Sequence, residues 1–310
     1  MADSAPRLIA LDWGTSNVRA SLLGDAGRPL QMRRDARGVM AVPAGGFAAV
    51  LHELCGDWLA AHPRLPLIAG GMVGSRQGWH EAPYLELPAG PEQAAAALIA
   101  VDTGGGRALH IVPGACDRPR PGRYDVMRGE ETQVWGCAAA AGWCVLPGTH
   151  SKWVRVDHGG RVARFHTYMT GELYALLSQH GTPGRLMVHG HGDDAAFAAG
   201  LALGAAEHAQ ATQAFFAART AGLLGGVAGE ALPDYLSGLL IGVEIASALS
   251  GLTADERATP LLLVGDEALC ARYARALRLL GAHSRTAPAG ATERGLWRVA
   301  QAAGLLESDA

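Results

Sequence analysis

The chain is short of cysteine, of net charge and of long apolar runs, and each shortage excludes something. Its five cysteines (Cys55, Cys116, Cys137, Cys144 and Cys270) are odd in number and form no Cys-x-x-Cys pair. That excludes a disulfide framework and a zinc knuckle and fits a reducing compartment. The formal net charge is −3 with no basic run, so the electrostatic footprint of a nucleic-acid partner is missing. No apolar stretch approaches the roughly 20 residues of a membrane span. The opening Met1-Ala2-Asp3-Ser4-Ala5-Pro6-Arg7 carries no signal-type apolar segment. The expectation is a cytoplasmic, soluble protein with no membrane partner. Against 18% charged residues stand 49% hydrophobic ones, which excludes disorder and predicts a well-buried core, in one large domain or two moderate ones.

What is present is organised around residues 8–20. An apolar run, Leu8-Ile9-Ala10-Leu11, ends at a single acid, Asp12, followed by Trp13 and the turn Gly14-Thr15-Ser16-Asn17. A second strand-like run then returns over residues 18–23. Such a turn offers amide and hydroxyl donors to phosphate oxygens, and a lone acid at a strand end suits a hydrated Mg²⁺. A polar hairpin tip capped by an Asx turn is the plainer reading. The theme returns at residues 144–156, where Cys144-Val145-Leu146 leads into Pro147-Gly148-Thr149-His150 and a second strand begins at Ser151. Each copy is predicted to be a three-strand meander, and the duplication is a stronger signal than either loop alone.

Between the copies, Phe47, Val50, Leu51, Leu54, Trp58 and Leu59 are spaced for a helix with one apolar face. A buried strand at 67–69 precedes Gly70-Gly71-Met72-Val73-Gly74-Ser75, and a helix is predicted over 91–101 and a strand over 109–112. An Ala-rich helix is predicted from about 130 to 141. Later come helices over 172–180, 195–220, 236–249, 268–280 and 291–303, with short strands at 261–264 and 283–287. The fold class is α/β, with each half begun by a meander. The expected division is an N-terminal domain over 1–129 and a C-terminal domain over 130–310. In it, 130–142 is the connecting helix and the last helix packs back on the first domain. The tract His189-Gly190-His191-Gly192-Asp193-Asp194 completes no recognised ligand pattern and reads as a loop tip. Trp135 and Trp153 read as core or domain-interface residues rather than stacking platforms.

These segments resemble the actin-like ATPase and sugar kinase superfamily, and more narrowly the 2-dehydro-3-deoxygalactonokinases. The narrower resemblance rests on Leu11-Asp12-Trp13-Gly14-Thr15-Ser16-Asn17-Val18-Arg19-Ala20, on Val126-Met127-Arg128-Gly129-Glu130-Glu131-Thr132-Gln133, on Pro147-Gly148-Thr149-His150-Ser151-Lys152-Trp153-Val154 and on Met169-Thr170-Gly171-Glu172-Leu173. Ala82-Pro83-Tyr84-Leu85 and Leu236-Ser237-Gly238-Leu239-Leu240-Ile241-Gly242 extend it over nearly the whole chain. The resemblance implies two actin-like (ribonuclease H-like) domains facing across a nucleotide cleft. The implied reaction moves the γ-phosphate of ATP to the 6-hydroxyl of 2-dehydro-3-deoxy-D-galactonate, with Mg²⁺ as cofactor and a small sugar acid as the only partner expected. The sequence carries no sign of oligomeric state. Rival readings are a kinase of another sugar or sugar acid, and a nucleotide-dependent sensor that transfers nothing.

The resemblance also implies residue roles. Gly14, Thr15, Ser16 and Asn17 would face the γ-phosphate, and Asp12 would hold Mg²⁺ through water. Gly148, Thr149 and His150 would hold the β-phosphate, with Arg19 and Lys152 compensating charge. The base would be Glu130 or Glu131, with Glu130 favoured, although a carboxylate at a helix start also serves the helix dipole. A carboxylate on the acceptor calls for an arginine fork or backbone amides, for which Arg128, Arg76, Gly74, Ser75 and Tyr84 are candidates. Glu172 is a further candidate, with Thr170 as the cap of its helix. Gly238, Gly242, Gly265 and Asp266 would lie near adenine.

Overall fold

The computed structural model describes residues 5–137 and 141–306; the end of the predicted helix over 130–141 falls largely outside them. In chain order the strands are β1 (Leu8–Trp13), β2 (Val18–Leu23), β3 (Pro29–Asp35), β4 (Leu67–Gly70), β5 (Tyr84–Glu86), β6 (Ile99–Asp102), β7 (Ala108–Ile111), β8 (Gly114–Arg120), β9 (Arg123–Met127), β10 (Gly142–Leu146), β11 (Ser151–Val156), β12 (Val162–Tyr168), β13 (Leu261–Leu263) and β14 (Ser284–Thr286). The α-helices are α1 (Phe47–Ala61), α2 (Pro91–Ala96), α3 (Glu130–Gly136), α4 (Thr170–Gln179), α5 (Asp194–Ala206), α6 (Ala211–Leu223), α7 (Leu232–Ser250), α8 (Ala254–Ala258), α9 (Glu267–Leu279) and α10 (Ala291–Ala302).

The described chain divides into two compact units. Among the described residues, unit 1 comprises 5–137, 141, 154–165 and 288–306, and unit 2 comprises 142–153 and 166–287. A six-stranded mixed sheet, ordered β3-β2-β1-β4-β7-β6, forms the frame of unit 1. Its centre is apolar on both faces. Every residue of β1 but Asp12 is buried, while β3 at the edge alternates with Gln31, Met32 and Arg34 exposed. Helix α1 covers one face with Phe47, Val50, Leu51, Leu54, Cys55, Trp58 and Leu59, all buried. A small sheet, β5-β8-β9, also belongs to this unit.

The second sheet is ordered β12-β11-β10-β13-β14, and its first three strands repeat the order β3-β2-β1 of the first meander. Strands β10, β13 and β14 run parallel. Trp143, Val145, Trp153, Leu261 and Leu263 pack with α5, α7 and α9 into one core of unit 2. Helix α7 is long and apolar enough to cross a membrane by length and composition, but most of it is buried inside the protein. It packs on α5 through glycines: a Cβ at Gly238 would fall 2.1 Å from the Phe197 carbonyl oxygen, and one at Gly204 2.0 Å from that of Leu239.

Three local expectations change. The helix predicted over 91–101 ends at Ala96, and Ile99–Asp102 pairs antiparallel with β7. Ile99 and Val101 alternate with exposed Ala100, a period of two inside an apolar run. The helix predicted over 195–220 is two helices, α5 and α6, parted at 208–210. The β8–β9 hairpin, turned at Pro121-Gly122 with Gly122 at φ 78°, was not predicted.

Candidate active site

In unit 1 the parallel strands β1 and β4 end side by side, Asp12 against Gly70, the end of a parallel sheet where ligands bind. The chain reverses at once through residues 14–17, with the Gly14 N–H donating to the Asn17 carbonyl at 2.9 Å. Thr15, Ser16 and Asn17 are exposed. Arg19 lies opposite Asp12 in the β1–β2 register, and its guanidinium donates to Asp12 Oδ2. Gly38 supports the turn from behind, where a Cβ would lie 2.3 Å from the Thr15 carbonyl oxygen. Val39 donates its N–H to the Gly14 carbonyl at 3.0 Å. The result is a cavity of about 600 Å³ lined by Asp12, Gly14, Thr15, Ser16, Asn17, Arg19, Arg34, Asp35 and Ala36. Two guanidinium groups, three short polar side chains and two carboxylates at its wall, those of Asp12 and Asp35, fit a phosphate chain carrying a hydrated divalent cation. Mg²⁺ characteristically takes only one or two protein carboxylates and keeps several waters.

From Asp12 the site continues through two glycines at positive φ. Gly71 (φ 90°) lies so close to β1 that a Cβ would fall 2.9 Å from the Trp13 carbonyl oxygen and 3.5 Å from Asp12 Oδ1. Gly129 (φ 109°) in turn abuts Gly71, its would-be Cβ 3.2 Å from the Gly71 Cα. A side chain at either position is disfavoured by backbone and space together. This brings the start of α3 beside the end of β1.

Helix α3 begins with two acids that the surroundings make different. Glu131 is completely buried, and the Gly129 N–H donates to both of its carboxylate oxygens at 2.8 Å. Burial, and then the neighbouring Glu130 charge, push its pKa up to about 8. Glu130 is only partly buried and accepts from the Arg128 N–H at 3.0 Å. The helix is clamped from outside by α10: a Cβ at Gly295 would fall 1.8 Å from the Thr132 carbonyl oxygen, and Arg294 Nε donates to the Gly136 carbonyl at 2.9 Å.

Arg128 is buried as well. One guanidinium nitrogen donates to the Ala82 carbonyl at 2.9 Å, and the guanidinium carbon stands 4.3 Å from the centre of the Tyr84 ring. Its Nε and Nη1 are buried with no hydrogen-bond partner, as is the Ser75 hydroxyl. A Cβ at Gly74 would lie 3.0 Å from that Nη1. Buried donors left unpaired are costly, so these three point to a ligand with acceptor oxygens. Arg76 does not join them; it is exposed and paired with Glu81 at 3.0 Å.

Unit 2 carries the second turn at the end of β10. Residues 148–150 lead into β11, and the start of α4 is wedged beneath them. A Cβ at Gly171 would fall 2.6 Å from the Gly148 carbonyl oxygen, and the Glu172 N–H donates to the Thr149 carbonyl at 3.0 Å. The Glu172 carboxylate meets His150 Nε2 at 2.5 Å. Thr170 does not cap α4; its hydroxyl turns inward to Glu244. Lys152 is buried rather than solvated. Gly265, exposed at φ 136°, follows the neighbouring strand β13, and Asp266 caps α9 by accepting from the Leu269 N–H at 3.0 Å. Gly238 and Gly242 are placed differently from expectation. Their open faces are filled by α5, a Cβ at Gly242 falling 2.3 Å from the Leu201 carbonyl oxygen, so their work is helix packing. Asp193 caps α5 and Asp194 pairs with Arg275, in keeping with a loop tip. Among the described residues no three His, Cys, Asp or Glu side chains gather as a metal cluster.

The sequence profile of the 2-keto-3-deoxy-galactonokinase family matches residues 12–299. The chain belongs to this family. The probable 2-dehydro-3-deoxygalactonokinase of Rhizobium meliloti (strain 1021) is 39% identical to it over 306 residues, covering 94% of this chain and 96% of that protein. The 2-dehydro-3-deoxygalactonokinase of Escherichia coli (strain K12) is 39% identical over 289 residues, covering 92% and 94%. A crystal structure from Sinorhizobium meliloti bearing the 2-dehydro-3-deoxygalactonokinase name superposes with a TM-score of 0.85 at 37% identity, over 95% of this chain and 98% of that one. In this chain the 2-keto-3-deoxy-galactonokinase fold consists of two α/β units built on mixed sheets.

Sequence reasoning did not find Gly38, Arg34, Asp35 or Glu244. Gly38 and Arg34 carry no local motif and matter only in the fold, Gly38 by its close approach to Thr15 and Arg34 by pairing with Arg19 in the sheet. Glu244 sat in an apolar helix, and a lone acid in such a run is itself a signal, because a buried charge needs partners.

Proposed function

We propose that the chain transfers the terminal phosphate of ATP to the 6-hydroxyl of 2-dehydro-3-deoxy-D-galactonate, in galactonate catabolism in the cytoplasm. The observation that carries the acceptor assignment is the buried Arg128 with two unpaired donors, together with the unpaired Ser75 hydroxyl. A planar carboxylate answers such a fork, and the family's named acceptor is a sugar acid. The missing side chain at Gly74 admits Nη1, which a Cβ there would meet at 3.0 Å, and the guanidinium carbon stands 4.3 Å from the centre of the Tyr84 ring.

In this reading residues 14–17 take the terminal phosphate and residues 148–150 an inner one, with Arg19 compensating charge. Asp12 would hold Mg²⁺ through water, and the ion would supply neutralisation of charge developing on the phosphate oxygens. Arg19, held by Asp12 and lining the same cavity, would add its positive charge there. Glu130 takes the proton of the attacking hydroxyl. It is the acid that keeps an open face, whereas Glu131 is sealed and spent on the Gly129 N–H. Gly265 and Asp266 border the nucleotide's far end. Glu172, engaged with His150, steadies the inner-phosphate turn instead of touching acceptor.

The test is product analysis. With the galactonate compound and its gluconate epimer offered separately with Mg-ATP, ³¹P–¹³C coupling should place phosphate on C6 of the galactonate compound. Phosphate at another carbon, or on the epimer alone, overturns the proposal. Arg128→Lys should raise the acceptor KM by about tenfold or more while leaving the ATP KM in place, since an ammonium loses the fork.

A further inference from the structure

Glu244 lies near the middle of the apolar helix α7, fully buried, and four donors converge on it. Ser151 Oγ and Trp153 Nε1 donate to Oε1 at 2.6 and 2.9 Å; Thr170 Oγ1 and Tyr273 OH donate to Oε2 at 2.5 and 2.6 Å. Each oxygen therefore carries two bonds, which fills the acceptor capacity of a carboxylate. Nothing in the proposed chemistry uses this group, yet its partners are not scattered. Ser151 follows His150 directly and is the first residue of β11. Thr170 precedes Gly171, whose backbone lies against the carbonyl of Gly148 and the Cα of Thr149, and Glu172, whose N–H holds the Thr149 carbonyl at 3.0 Å. The turn 148–150 is thus bracketed by two segments, and one carboxylate holds both, one by each oxygen.

A turn that grips phosphate with backbone amides works only if those amides are fixed before the ligand arrives. The exposed residues Thr149 and His150 have little packing of their own. We infer that Glu244 is a positioning residue for nucleotide binding: through Ser151 and Thr170 it sets the conformation of the 148–150 turn from beneath. This rests on the reading that the turn takes a nucleotide phosphate.

Tyr273 provides the contrast. Tyr273 donates to the same Oε2 as Thr170, but from α9, a helix that supplies no backbone to the turn or to either bracketing segment. A merely structural carboxylate would make loss of either hydroxyl equivalent. A positioning role makes them different.

The experiment is calorimetric titration of ADP into the full chain, wild type and variants, with thermal unfolding measured on each. Thr170→Val and Ser151→Ala should each weaken ADP binding by about tenfold, the loss of one strong buried hydrogen bond to the turn's support. Tyr273→Phe should lower Tm comparably while leaving the ADP Kd within about twofold, as a site remote from the turn should. Glu244→Gln, which keeps the shape and part of the acceptor capacity, should weaken ADP binding and leave the acceptor KM unchanged. Wild-type binding with all four variants binding equally well overturns the positioning role. So does an equal loss of affinity in Tyr273→Phe and Thr170→Val. If wild-type protein itself fails to bind ADP, the nucleotide reading of the turn falls first.

Discussion

Glu130 and Glu131 are chemically identical and adjacent, and the fold gives them different tasks. A base must reach the proton it takes. Glu131 is sealed beneath Gly129, and Glu130 keeps an open face. Glu130→Gln should therefore lower kcat by about 10²–10⁴, the usual worth of a general base, with ADP affinity unchanged by calorimetry. A larger loss in Glu131→Gln would exchange the two roles. Glu131 also makes a pH prediction. Its pKa stands at about 8 against an ordinary 4.5, so between those values the folded state binds the proton that the unfolded state has released. The stabilising contribution is complete below the lower value and is lost as pH rises through the upper one. Urea unfolding of wild type should thus weaken from pH 5 to pH 8.5 more steeply than that of Glu131→Gln. Parallel pH dependences would mean that Glu131 is ionised in the folded protein throughout. Much of this residue detail was legible as type but not as environment. Gly129-Glu130-Glu131 marks a helix start with two acids, and only the fold says which one is buried.

At the scale of elements, the two turns were readable because each is local: strand, acid or proline, glycine, hydroxyl, strand. The helix seams were not, because their meaning lies in pairs far apart in sequence. Gly238 and Gly242, expected near adenine on the helix over 236–249, are the places where α7 meets α5 backbone to backbone, opposite Gly200 and Gly204. The seam between α3 and α10 is built likewise from Gly136 and Gly295, and it bears on activity because α3 carries Glu130. Gly295→Ala would drive a methyl group into the Thr132 carbonyl. It should cost about 1–3 kcal/mol in urea unfolding, the usual range for overpacking, and should lower kcat as α3 is displaced. Unchanged stability would mean that α10 shifts freely, and that the clamp on α3 is loose. The β6 strand was missed for a related reason: an Ala-rich apolar run satisfies helix propensity, and antiparallel pairing with β7 overrides it.

For the molecule as a whole, the duplicated meander is what made the fold readable, since the same order of three strands opens both large sheets. Substrate identity is a finer matter, carried by few atoms: the unpaired donors of Arg128 and Ser75 ask for a carboxylate, and membership in the 2-keto-3-deoxy-galactonokinase family supplies the acid. A sugar-acid kinase releases ADP only when it has the acid to phosphorylate. The measurement is steady-state ADP release from Mg-ATP with 2-dehydro-3-deoxy-D-galactonate present, absent, or replaced by a neutral polyol of similar length. Release that depends on the sugar acid and is near background in the other two conditions is the predicted result. ADP release indifferent to the acid, or as fast with the neutral polyol, would contradict the account.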